Sequence, residues 1–207
     1  MTGPSKDLVL LVADADMEYT CKGLLNEPKR LGLRPIQFEI MRHPGRDPGC
    51  RQEAAAFLRS QARFYAHALV LFDREGCGQD SSPREKLEAD LESQLAAQGW
   101  EKRCAVVIPD PELESWVWSD SPNVASCLGW KESRESLIHW LDGKNFRRNT
   151  LGKPERPKEA MQSVLRHTRK SRSASIYQAL AEQVSVTRCT DPAFMKLVER
   201  LRDWFPE

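Results

Sequence analysis

The chain has 207 residues, of which 40% are hydrophobic and 29% charged, and a formal net charge of +1 at pH 7; this suffices for one well-buried core and has the balance of a soluble globular protein. No apolar run approaches the roughly 20 residues needed to cross a bilayer. The opening MTGPSKDLVLLVADAD ends its apolar stretch in acids and lacks a small-residue cleavage site, so no membrane and no signal peptide are expected, and a cytoplasmic location is.

Residues 7–13 are a short apolar run bounded by polar residues, the pattern of a buried strand, and a helix follows in MEYTCKGLLNEPKRLG, reset by Pro28 before Gly32. RPIQFEIMR alternates and predicts a second strand at about 35–41; HPGRDPG then reads as a long polar loop. CRQEAAAFLRSQARFY carries apolar residues at helical spacing and returns the chain to a third strand, HALVLF. After REGCGQDSSP, residues 84–98 read as an amphipathic helix ended by Gly99. A fourth strand, RCAVVIP, leads to DPELESWVWSDSP, where Pro111 suits the first turn of a helix with Glu112 near its start. This alternation predicts an α/β fold with an at least partly parallel sheet flanked by helices. Beyond residue 121 four helical segments follow, so residues 1–120 form the expected α/β core and residues 121–207 a helical region packed on it, with 148–158 as a linker or mobile loop.

Carboxylates follow three of the apolar runs: Asp14, Asp16 and Glu18 after LVLLVA, Asp73 and Glu75 after HALVLF, and Glu112 and Glu114 after AVVIPD. Parallel sheets gather ligands at the carboxyl ends of their strands, so adjacent runs would pool these acids. Crowded carboxylates stay ionised together when a divalent cation neutralises them, and an oxygen-only donor set favours Mg²⁺ or Mn²⁺ over zinc. The six cysteines contain no C-x-x-C pair, and His43, His67, His139 and His167 lack metal-ligand spacing, so the cysteines read as reduced core thiols. No G-x-S-x-G elbow, Walker A or G-x-G-x-x-G motif is present. DADMEYT places Glu18 where an aspartyl-nucleophile phosphatase motif needs Thr or Val.

Charge is divided along the chain. Residues 1–120 hold 15 Lys and Arg against 20 Asp and Glu, and residues 121–207 hold 16 against 10. The basic half contains RHTRKSR, so Arg169, Lys170 and Arg172 are candidate nucleic-acid contacts, joined by Arg46 in the loop after the second strand. Trp116 is expected to anchor the helix carrying Glu114, and Trp204 and Phe205 to pin the C-terminus.

V-A-D-A-D-M-E, L-F-D-R-E and P-E-L-E-S-W, with the closing helical stretch, resemble the small Toprim-like (topoisomerase-primase) proteins of bacterial phage-defence operons over nearly the whole chain. The resemblance implies a Toprim-like fold and a Mg²⁺-dependent nuclease, a hydrolase of phosphodiesters, or a nuclease-like subunit in prokaryotic antiviral defence, acting on nucleic acid with other defence proteins as partners. Asp14 and Glu18 would be catalytic; Asp14, Asp16, Asp73, Glu75, Glu112 and Glu114 would hold metal. Asp14 stands where the family has Glu, which retracts the carboxylate by one methylene, and Glu75 replaces the second Asp of D-x-D. A catalytically inactive interaction subunit is the alternative.

Overall fold

The computed structural model describes residues 5–184 and 188–207. Four strands, β1 (Lys6–Val12), β2 (Phe38–Arg42), β3 (Tyr65–Leu71) and β4 (Cys104–Val107), form a sheet in the order β2-β1-β3-β4. All neighbours are parallel, with Leu8 opposite both Phe38 and His67, and Leu71 opposite Val107. Leu8–Val12 and Ala68–Leu71 are buried because helices flank the sheet, which is why these strands read as unbroken apolar runs. The chain moves from β1 to β2 on one side and returns to β3 on the other, so the crevice of a doubly wound sheet lies at the ends of β1 and β3.

The helical elements are α1 (Ala15–Leu25), α2 (Pro28–Leu31), α3 (Arg46–Leu58), α4 (Arg84–Leu95), α5 (Glu114–Val117), α6 (Asn123–Cys127), α7 (Arg134–Gly143), α8 (Pro157–Thr168), α9 (Ala174–Gln183) and α10 (Pro192–Trp204). Asp14 caps α1, its side chain accepting from the Met17 N–H at 3.0 Å, so the helix starts two residues before the segment expected from sequence. The polar segment HPGRDPG is only partly loop: α3 begins at Arg46 and takes Asp47 and Pro48 into its first turn, where proline loses no intrahelical bond. Past α4 the chain leaves α geometry at Ala96–Trp100, where Gly99 has φ +94°. Pro111 precedes a shorter helix than expected, since α5 starts only at Glu114.

From Asn123 onward the described elements are all helical. Helix α9 lies on α1 so closely that a Cβ at Gly23 would sit 2.7 Å from the Gln178 carbonyl oxygen and 2.8 Å from the Ala181 Cβ. Helix α10 joins α4 through Lys196, which pairs with Glu88 and Glu92 at 3.0 and 2.8 Å. His67, at the start of β3, stacks on Trp204 with ring centroids 4.6 Å apart, and Phe205 is buried beside it. The segment expected to be a linker is tied down: Arg148 and Pro154 form an antiparallel bridge, and Lys153 is buried, its Nζ donating to the Ser115 carbonyl at 2.8 Å. All six cysteines are unpaired thiols. Among the described residues no helix is long and apolar enough to cross a membrane.

Candidate functional site

The three acid-bearing strands β1, β3 and β4 are neighbours, so the segments that follow them meet at one edge of the sheet. Asp73 comes two residues after β3, Glu112 lies in the turn before α5, and Glu114 opens α5. Each offers a carboxylate oxygen, and no two of these three oxygens are more than 4.8 Å apart. Around an octahedral Mg²⁺ opposite oxygens lie about 4.2 Å apart and adjacent ones about 3.0 Å, so the three side chains would draw together for one cation to bind all of them. The donor set is oxygen only, in keeping with a hard cation.

All three carboxylates are buried and individually held. Asp73 Oδ1 accepts from the Leu113 N–H at 2.7 Å, while the Asp73 N–H donates to Asp47 Oδ1 at 2.8 Å. Among the described residues Glu112 is clamped by residue 158 alone: the Lys158 N–H donates to one carboxylate oxygen at 2.9 Å and its ammonium to the other at 3.1 Å. Glu114 accepts from the Tyr177 hydroxyl at 2.6 Å and faces the Arg172 guanidinium at 3.6 Å. Arg172 also pairs with Asp16 at 2.7 Å, bridging the acids after β1 to those after β4.

These surroundings shift the titrations. Burial pushes the Asp73 carboxyl well above its usual range, and the charges of Asp47 and Glu114 push it further. Burial likewise raises Glu114, against the lowering effect of the Tyr177 hydrogen bond and Lys158. Asp16 is raised by burial and by Asp14, and Asp47 by burial. Burial works against the Lys158 ammonium, but Glu114 and Glu112 outweigh it and raise its pKa. Among the described residues six carboxylates (Asp14, Asp16, Asp47, Asp73, Glu112, Glu114) thus crowd around Lys158 and Arg172, with Arg42 and Arg46 on the cleft beside Asp14 and Asp16. The excess of negative charge is what an added cation would relieve.

Compared with known proteins, the chain matches no family model, no curated protein and no solved structure.

The other residues singled out from the sequence fall around this cluster in different ways. Asp14 and Asp16 line an open cleft of about 550 Å³ with Arg42, His43, Arg46 and Arg172, next to the triad. Glu18 pairs with Lys22 at 2.6 Å and Arg42 at 3.1 Å. Glu75 is exposed, because the turn through Gly76, φ +85°, carries it outward from the strand end. Arg46, at φ +52°, and Arg169, at φ +57°, are both exposed. Lys170 donates to the Cys127 carbonyl at 2.6 Å, and Arg172 is taken up by the acids as their counter-ion. Sequence reasoning missed Lys158 and Tyr177 and gave Asp47 no role at the acids. Asp47 had one signal, an acid in a segment following a strand; Lys158 and Tyr177 sit on ordinary amphipathic helices and carried none.

Proposed function

We propose that this chain is a Toprim-like, Mg²⁺- or Mn²⁺-dependent nuclease, or a nuclease-like subunit, of a prokaryotic antiviral defence system, working in the cytoplasm on phosphodiesters. The observation that carries the reading is the convergence of Asp73, Glu112 and Glu114, from the ends of β3 and β4, within one cation's reach of each other and beside the acids after β1. A divalent cation bound there would supply Lewis-acid polarisation of a phosphoryl oxygen and a water of lowered pKa. The chain's own groups would do the rest. Asp73 is fixed by Leu113, so its second oxygen is aimed without rotamer search. Asp14 spends one oxygen on its helix cap and keeps the other for a proton or a ligand. Lys158 and Arg172 lie where a phosphate's negative charge would be met once the acids engage a metal.

A second reading has its own support. Lys158 and Arg172 already neutralise part of the cluster, and Glu75 is turned outward, as suits an interaction subunit that keeps the architecture without the chemistry. A cleavage assay on plasmid, single-stranded DNA and RNA with Mg²⁺, with Mn²⁺ and with a chelator separates the two. The nuclease reading expects metal-dependent cleavage that Asp73→Asn abolishes. Absence of cleavage together with absence of Mn²⁺ binding by calorimetry at millimolar concentration would leave the interaction subunit.

A further inference from the structure

A second charged depression lies in the helical region, lined by none of the six crowded carboxylates. It is a groove of about 500 Å³ whose floor is the Trp118–Asp120 segment after α5 and whose walls come from α7, the Arg148–Lys153 turn and Arg188. Four cationic side chains converge on it: Arg134, Arg148, Lys153 and Arg188. Among the described residues that line it, Asp120 is the one acid, and its side chain is 83% exposed.

The cations are aimed by neutral groups as well as by acids. Arg134 Nε donates to the Ser119 carbonyl at 3.2 Å, and Arg188 Nη1 to the Asp120 carbonyl at 3.4 Å. Arg134 also pairs with Asp120 at 3.3 Å, Arg148 gives one contact to Asp142 at 2.8 Å, and Lys153 donates to the Ser115 carbonyl at 2.8 Å and reaches Asp191 at 3.6 Å. A guanidinium carries five donors, so each arginine has N–H groups beyond these contacts. Ser119 adds a different signal: it is 1% exposed, it lines the groove, and its hydroxyl has no hydrogen-bond partner among the described residues. A buried hydroxyl left unpaired is destabilising, and a ligand acceptor that reached it would be favoured. Arginine forks match phosphate oxygens, and the apolar surfaces of Leu151, Ile138 and Trp118 give an organic body something to lie on that a bare ion would not use.

We propose that this groove binds the phosphate of a nucleotide, either free or within a nucleic-acid strand, at a site separate from the carboxylate cluster. The test is calorimetric titration of the full chain in excess chelator, which keeps the acidic site free of metal. The probes are inorganic phosphate, adenosine 5′-monophosphate and a short single-stranded oligonucleotide. The nucleotide should bind at least tenfold more tightly than inorganic phosphate. Arg148→Ala combined with Arg188→Ala should weaken it by at least tenfold with an unchanged melting temperature, and Arg148→Glu alone should do the same if the double variant folds poorly. Asp73→Asn should leave it unchanged, so the outcome stands apart from that of the metal-site reading. An oligonucleotide binding tenfold more tightly than the mononucleotide assigns the groove to a strand, and the reverse order to a free nucleotide. Failure of all three probes to bind at millimolar concentration, or full affinity in the arginine variants, would overturn the proposal.

Discussion

Replacing Asp73 with Asn should stabilise the metal-free protein at alkaline pH and leave it nearly unchanged in acid. Asp73 has a folded-state pKa raised by burial and by Asp47 and Glu114, so ionisation costs the folded state more than the unfolded chain. The sign follows: the native state is least penalised below the usual carboxylate pKa of about 4, and stability is lost as the pH rises from there through the raised value. Asn cannot ionise, and its Oδ1 can still accept from the Leu113 N–H, so it removes the penalty while keeping the hydrogen bond. The size follows from the geometry. Two like charges at the 4.8 Å limit of the cluster repel by about 3 kcal/mol at an effective dielectric constant of about 20. Attraction to Lys158 offsets part of this, leaving a gain of about 1–3 kcal/mol at pH 8, which at ~2–4 °C per kcal/mol for a chain of this size is a rise of several degrees. Calorimetric melts of both proteins in chelator, at pH 3.5 and pH 8, provide the check. A variant less stable than the wild type at pH 8 by as much as at pH 3.5 would refute the argument, because Asp73 would then act in the apo protein through its hydrogen bond and not through its charge.

Four further outcomes are expected. Mn²⁺ should raise the melting temperature of the wild type by binding the native state alone, and Lys158→Met should bind it more tightly by calorimetry, since the ammonium that competes for Glu112 is gone; equal or weaker binding would show that Lys158 does not compete. Gly23→Ala should destabilise by about 1–3 kcal/mol in denaturant unfolding, because the added methyl meets the backbone of α9 instead of a yielding side chain; an unchanged midpoint would mean that the two helices separate freely. Asp14→Asn should fold normally, since Asn also caps helices, and should lose roughly 10²-fold or more in cleavage rate if Asp14 transfers a proton or holds metal; full activity would reduce Asp14 to a cap.

The strands were the most legible part of the fold, because both faces of a parallel sheet are covered and the burial leaves runs such as LVLLV and ALVL without polar interruption. The start of α3 was less so: glycine and proline in HPGRDPG signal a turn, yet the first turn of a helix tolerates Pro48. The expectation that strand-end acids would pool rested on their position, and Asp73, Glu112 and Glu114 do meet. The i, i+2 spacing said less about Glu75, since the backbone leaves the strand direction at Arg74 and spacing then no longer fixes a face. The counter-ions were illegible for another reason. Lys158, Arg172 and Tyr177 act at Glu112 and Glu114 across 46 to 63 residues of chain, and no local pattern encodes a partner at that distance.

The acids and their counter-ions come from opposite ends of the sequence, and that division limits how the protein can be taken apart. The sheet supplies the carboxylates, while α8 and the turn before α9 supply Lys158 and Arg172. A fragment ending near residue 120 would lose both cations and expose the face of α1 that α9 covers, so it would be a poor test of whether the α/β half can act alone. Transplanting the P-E-L-E-S-W segment into another scaffold would likewise move the two carboxylates without the groups that keep them from repelling one another.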